Sequence, residues 1–333
     1  MAPLFDSYVM VDWSAARWPT KPKKDTIWAV RLGPGADGKW GAGPPLHLPT
    51  RAKAATWIEE TLGKDLAAGR KVLIGFDFPL GYPKGFAARL GLPGPPWRAI
   101  WREYAELLPD DENRNDRFVL AEKLNLRVSG GAFPFWGRPH ESSYQALDQQ
   151  RYDLHRHDRE RLAERRLVEQ RARTSQSTWK LLGIGSVGSQ ALTGIPRVER
   201  LKQRFGTALQ VWPFETGLAA PAQGGPPITL VEIYPSLFRA AASLCEVKDA
   251  AQVRVAAQHF ASLDWTGDLQ ALFAGDPALT AAERAAVIAE EGWVLGVTGA
   301  RTNPKTPSPP HWGGEGEESA GWATACRRTS ASL

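Results

Sequence analysis

Two apolar runs in this chain each end on a lone aspartate and then break. One reads Val9-Met10-Val11-Asp12-Trp13-Ser14, the other Val72-Leu73-Ile74-Gly75-Phe76-Asp77-Phe78-Pro79. A continuous apolar run is the mark of a strand buried on both faces of a parallel sheet. An acid at the carboxyl end of such a strand stands where α/β sheets place their ligands. Two such acids on adjacent strands repel unless a cation lies between them or one is protonated. The pair therefore points to a divalent metal held by carboxylates, although either residue taken singly reads more simply as a turn cap. Glu232 is a third candidate, because it interrupts the apolar run at residues 228–234. A buried carboxylate costs several kcal/mol unless it is paired or coordinates a metal. Glu290 and Glu291, on the last expected helix, are candidates to close the cluster. Asp249 competes with them, its simplest role being an N-terminal cap.

The elements that must position these acids follow from periodicity. Residues 8–13, 26–32 and 40–48 read as strands, the third at an edge because Pro44 and Pro45 interrupt it. Residues 51–68 have helical spacing, with Ala55, Ile58, Leu62 and Leu66 on one face, and Gly69 ends the helix. Residues 71–78 then form a buried strand. Residues 209–214 and 228–234 are further strands, and 236–242, 248–262 and 281–297 read as helices. The stretch 81–206 differs in character. Helices are expected from Pro95-Pro96 to Leu108 and over 117–124, with an aromatic Gly/Pro-rich loop at 130–139. Residues 144–173 are dense in Arg, Glu and Asp and read as a solvated helix. Residues 302–333 carry little apolar content and read as a disordered tail.

Other motifs carry less. Gly183-Ile184-Gly185-Ser186-Val187-Gly188 spells a dinucleotide fingerprint, but 178–182 is a poor strand, and Gly194 and Pro196 are expected to break the helix that should follow. His155 and His157 are two positions apart, the wrong spacing for one metal on a helix, and are expected at the surface. Ser14 and Ser236 read as capping residues rather than nucleophiles.

The totals set bounds. The chain has 333 residues, 14 of them Trp, and a formal charge of +5, with a pI of about 9.2. That is compatible with an anionic substrate but is not by itself a nucleic-acid signature. Cys245 and Cys326 give neither a zinc spacing nor a disulfide framework. No signal peptide is read at the N-terminus and no run is long enough to span a bilayer. A cytoplasmic protein without membrane association is the expectation, and oligomeric state is not legible.

The order strand–strand–strand–helix–strand, with acids on the first and fourth strands, resembles the ribonuclease H-like layout. Val11-Asp12-Trp13-Ser14, Ile74-Gly75-Phe76-Asp77-Phe78-Pro79-Leu80-Gly81 and Val231-Glu232-Ile233-Tyr234-Pro235-Ser236 resemble an uncharacterised bacterial family of predicted nucleases with that fold. Some of its members have carried a label from molybdopterin-guanine dinucleotide synthesis. The likeness covers roughly residues 8–300. It implies an α/β fold with a mixed five-stranded sheet, flanking helices and a large, mainly helical insertion. Residues 1–80 and 207–301 would form the two parts of that domain, 81–206 the insertion and 302–333 the tail. It also implies that Asp12, Asp77 and Glu232 are the family's acidic positions. The family's closing helix often bears paired aspartates, where this chain has Glu290 and Glu291. The expected activity is Mg²⁺- or Mn²⁺-dependent phosphodiester hydrolysis, with nucleic acid as partner. The alternatives are a nucleotide-binding enzyme or a non-catalytic protein on the same fold. Nucleotide binding needs a Gly-rich phosphate hairpin after the first strand, and Ser14-Ala15-Ala16-Arg17 stands there instead.

Overall fold

The computed structural model describes residues 2–35, 37–172, 175–183, 185–238 and 247–299. Strand β1 (Ser7–Asp12) forms the middle of the sheet. Its side chains alternate between two apolar layers: Val9 and Val11 enter one core, Tyr8 and Met10 the other. Both faces are covered, which is why the run is apolar throughout.

Strand β2 (Ile27–Pro34) runs antiparallel to β1. The single strand expected over 40–48 is instead two short ones, β3 (Trp40–Ala42) and β4 (Leu46–Leu48), both paired to β2. Pro44 and Pro45 lack the N–H groups that one continuous ladder needs. Thr50 then caps helix α1 (Arg51–Ala67) by accepting from the Lys53 amide. Ala54, Ile58 and Leu62 are its buried stripe, and α1 makes the crossover that a parallel pair requires. Strand β5 (Val72–Phe76) lies parallel to β1, with Val11 opposite Phe76. Strands β6 (Leu209–Val211) and β7 (Ile228–Glu232) extend the parallel half. The order is β3-β2-β1-β5-β7-β6, with β4 also on β2. The sheet is therefore mixed and seven-stranded rather than five-stranded.

Between β5 and β6 the chain forms α2 (Phe86–Arg89), α3 (Pro96–Leu107), α4 (Arg117–Ser129), α5 (His155–Glu160), α6 (Leu167–Arg171) and α7 (Val187–Phe205). Trp97, Trp101, Leu120, Leu124, Leu192 and Ile195 pack into the layer that also holds Val9, Ile74 and Leu230. The insertion thus shares its core with one face of the sheet. Two expectations change here. The described residues of 144–173 hold two short helices, because their charged residues are partly internal: Arg166 and Glu169 are buried. And α7 runs unbroken through Gly194 and Pro196. Gly194 is a packing requirement, since a Cβ there would lie 2.4 Å from the Phe78 ring. Pro196 costs roughly 3 kcal/mol in a helix interior, which burial of Ala191, Leu192, Ile195, Val198 and Leu201 offsets.

Helix α8 (Lys248–Thr266) covers the other face, against β1 and β2. After α9 (Leu269–Leu272), α10 (Ala281–Ala286) passes into a single π turn, Val287–Glu291. The helix expected to reach 297 stops at Gly292, whose φ of +70° suits glycine. Leu295 N then donates to Glu232 O at 2.9 Å. Of the helix expected over 236–242, a 3₁₀ turn spans Pro235–Leu237. The stretch beyond 238, Cys245, and the tail 302–333 with Cys326 lie outside the described residues. No helix among the described residues is long and apolar enough to cross a membrane.

Candidate active site

Asp12 ends β1, and Asp77 follows the last residue of β5. The register brings the two carboxylates together at the same end of adjacent parallel strands. Trp13 N donates to Asp77 Oδ1 at 2.6 Å, which ties the two strand ends to each other. The chain leaving Asp77 is held firmly. Leu80 N donates to Glu232 Oε2 at 3.0 Å, and Trp101 Nε1 donates to Leu80 O at 2.7 Å. Gly81 passes so close to the π turn that a Cβ would sit 2.2 Å from Glu290 O.

Asp249, in the first turn of α8, faces the same cavity. Its Oδ2 accepts the Asp25 N–H at 2.6 Å. The cavity measures about 730 Å³, and Asp12, Asp77, Asp249, Lys24, Lys248 and Gln190 are among its walls. Burial pushes the Asp12 carboxyl well above the usual range, and the charges of Asp77, Asp249 and Asp25 add to it. Burial pushes Asp77 up to about 7, against the Trp13 hydrogen bond and with the charges of Asp249 and Glu232. Burial also raises Asp249, partly countered by the Asp25 amide. Neither Asp12 nor Asp77 forms a salt bridge among the described residues. At neutral pH the pair therefore lacks its full negative charge unless a cation stabilises it.

Glu232 sits beside this pair but is already engaged. Arg166 Nη2 and Nη1 donate to its Oε1 and Oε2 at 2.6 and 2.8 Å. Arg166 also binds Glu169 Oε1 at 2.7 Å and Glu291 O at 2.9 Å. Glu290 and Glu291 are not brought to the cavity. Glu290 accepts from the amides of Gly85 and Ala87, both at 2.7 Å. Glu291 accepts from Lys84 N at 3.0 Å and Leu167 N at 2.7 Å. They organise the start and middle of the insertion. The physical reason is the π turn, which aims both carboxylates at loops whose amides need acceptors.

The sequence offers Asp249 as a competitor of Glu290 and Glu291, with a cap as its simplest role, and gives no sign of Arg166. The signal for Asp249 was its place at the first turn of the helix that packs against β1. Arg166 was hidden in a charge-rich stretch. His157 is also not at the surface: it is buried, with Nδ1 on Leu162 O at 2.6 Å and Nε2 on the Tyr152 hydroxyl at 2.9 Å. No described strand precedes Gly183. Just ahead of α7, Ser186 N donates to Gly183 O and Val187 N to Gly185 O, and a Cβ on Gly188 would lie 2.5 Å from Thr178 O.

Among the described residues, no three of His, Cys, Asp and Glu are grouped as a ready-made metal cage. What the site offers is two carboxylates at neighbouring strand ends, with a third, Asp249, lining the same cavity. Compared with protein-family models, with curated proteins and with solved structures, the chain matches none of them.

Proposed function

We propose that the cavity at Asp12 and Asp77 is the active centre of a divalent-metal-dependent phosphodiesterase acting on nucleic acid. We read the fold as ribonuclease H-like. The antiparallel β3-β2-β1 edge continuing into parallel β5 and β7 supports that reading, with the acids at the ends of β1 and β5.

One observation carries the proposal. Two carboxylates are fixed side by side in an open cavity, each raised in pKa by burial and by neighbouring acids, with no salt-bridge partner among the described residues. These donors fit a hard cation. Mg²⁺ in particular is commonly bound through one or two carboxylates plus substrate phosphate oxygens rather than by an all-protein cage. Asp12 and Asp77 would hold the ion, with Asp249 as the third acid. When bound, the ion supplies Lewis-acid stabilisation of the phosphoryl oxygens and lowers the pKa of water.

The remaining residues prepare the site. Arg166 holds Glu232 in a fixed pose beside the pair. The Asp25 amide orients Asp249. Lys24 and Lys248 offer positive charge to the phosphodiester within the same cavity. Gln190 Nε2 donates to Trp13 O at 2.6 Å and fixes the backbone next to Asp12.

The test is cleavage of single- and double-stranded DNA and RNA with chelator, Mg²⁺ or Mn²⁺. The expected result is cleavage that needs metal and is lost in both Asp12→Asn and Asp77→Asn. Cleavage that persists with chelator, or no cleavage of any of the four substrates with metal, would overturn the proposal.

A further inference from the structure

The loop that leaves Asp12 carries a surface that the acid pair does not use. Its backbone is pinned along its length. Arg51 Nη1 donates to Ser14 O and to Ala16 O, both at 2.9 Å. Asn113 Nδ2 donates to Trp18 O at 3.0 Å, and Thr20 N to Pro49 O at 3.0 Å. Thr26 Oγ1 and Trp28 Nε1 both donate to Lys23 O, at 2.7 and 3.1 Å. The side chains, by contrast, stay outside. Arg17, Trp18, Lys21, Lys23 and Lys24 are all exposed. Trp18 leaves 59% of its surface to solvent, with the Arg17 guanidinium 5.6 Å from its ring centroid. The pinned backbone holds this exposed indole among four cationic side chains, Arg17, Lys21, Lys23 and Lys24.

A second, independent feature lies behind this loop. Arg117 is 8% exposed, yet it forms no salt bridge among the described residues. Its Nε donates to Ser189 Oγ at 3.0 Å and its Nη1 to Asn115 Oδ1 at 3.4 Å, and its guanidinium lies 4.6 Å from the Phe118 ring centroid. The carboxylate of Asp110 is already shared by Arg51 and Arg197. Burial, and then the charges of Arg51 and Arg17, push Arg117 down to about 10, with the charge of Asp110 countering in part. A buried cation crowded by other cations is costly unless an anion completes it. Arg51, whose Nη1 binds Ser14 O, ties this cation group to a residue of the cavity wall.

We infer that the loop at residues 17–24, together with Arg117, seats a single-stranded nucleic acid, a phosphate resting on Arg17 and Arg117 and an unpaired base stacking on Trp18. The inference rests on the proposed function for the strand's passage into the cavity. An acidic polypeptide would satisfy the cations but leave the indole unused. A duplex would keep its bases stacked inside.

The experiment is fluorescence anisotropy of a labelled single-stranded oligonucleotide, with chelator so that nothing is cleaved. A duplex of the same sequence and polyglutamate serve as competitors. The expected result is preference for the single strand, with affinity falling linearly in log salt. Trp18→Ala should weaken binding by about 5- to 150-fold, the range for loss of one base stack. Arg17→Gln and Arg117→Gln should each reduce the salt slope by about 0.7, the value for one single-strand phosphate. Thermal melts of the three variants check that each is folded. An oligonucleotide should also raise the melting temperature of the wild type more than that of Arg117→Gln. Binding unchanged in Trp18→Ala and Arg17→Gln, duplex or polyglutamate competing as well as the single strand, or no binding at all would overturn the inference. Because binding is read without metal, a protein that binds in this way but never cleaves would sink the proposed function alone. One that cleaves with metal while these variants bind normally would sink this inference alone.

Discussion

Arg166 holds Glu232 by both carboxylate oxygens, at 2.6 and 2.8 Å, and the same guanidinium reaches Glu169 at 2.7 Å. All three side chains are buried. Breaking such a network by removing one partner strands the others, and costs about 3–5 kcal/mol for a buried pair. Arg166→Met should be strongly destabilising, since it leaves both Glu232 and Glu169 uncompensated. Glu232→Gln should cost less, because Arg166 keeps Glu169 and Gln still accepts the Leu80 amide. In Glu232→Gln the stabilisation by Mn²⁺ should persist. Denaturant titrations of both variants, with and without Mn²⁺, measure this. A metal response lost in Glu232→Gln would return Glu232 to the ligand set.

Asp77 gives a pH dependence of definite sign. Its folded pKa of about 7 lies above the unfolded value near 4. Between those values the folded state binds more protons than the unfolded state, so stability falls as pH rises. The loss is complete above about pH 7 and is on the order of a few kcal/mol. Asp12 and Asp249, also raised, add to the same trend. Asp77→Asn keeps an oxygen for the Trp13 amide and removes one titrating group. With chelator present, its stability should decline less between pH 5 and pH 8 than that of the wild type. Parallel pH profiles for the two proteins would show that Asp77 is not under this electrostatic load.

Asp65 should act in the opposite direction. Burial works to raise it, but hydrogen bonds from Arg31 and Ser7, the Arg31 charge and a hydrogen bond from Arg70 outweigh burial and hold it below the usual carboxylate range. The contacts are Arg31 Nη2 at 2.5 Å, Ser7 Oγ at 2.6 Å and Arg70 Nη1 at 3.1 Å. A depressed folded pKa contributes stability that is present above the unfolded value and lost as pH falls through the folded one. Asp65→Asn should therefore destabilise at pH 7 by about 2 kcal/mol or more, as expected for a buried charged hydrogen-bond partner. The deficit should shrink below about pH 4. A deficit that stays constant from pH 7 to pH 3 would show that packing, not charge, is what Asp65 contributes.

How far the sequence reaches differs from element to element. The end of β1 and the end of β5 were legible, because an apolar run stopped by one acid is a strong local signal. Helix α1 was legible by its spacing and by the Gly69 that ends it, while its Thr50 cap was not read. The role of Glu232 was not, since a carboxylate in a buried strand reads the same whether its partner is a metal or an arginine 66 residues earlier. Arg166 looked like one more surface charge among many. Glu290 and Glu291 depended on a π turn, which no periodicity announces. In the aromatic loop read at 130–139, Phe133 and Phe135 are fully buried and their rings belong to the core, whereas the indole of Trp18 is exposed.

Asp12 is where the catalytic reading is most exposed. Asp12→Asn keeps the shape of the side chain and removes its charge. With chelator, the variant should be as stable as the wild type or more so, because repulsion from Asp77 and Asp249 is relieved. With excess Mn²⁺ the wild type should gain stability by mass action, since the ion binds the folded state. The variant should gain much less, and its phosphodiesterase activity should disappear. If Asp12 were instead a structural cap of the β1 end, the substitution would cost stability equally with and without the ion. Thermal melts of both proteins under the two conditions separate these outcomes. An equal metal response in the two would remove Asp12 from the metal site, and Asp77 and Asp249 alone would not make the close carboxylate pair on which the chemistry depends.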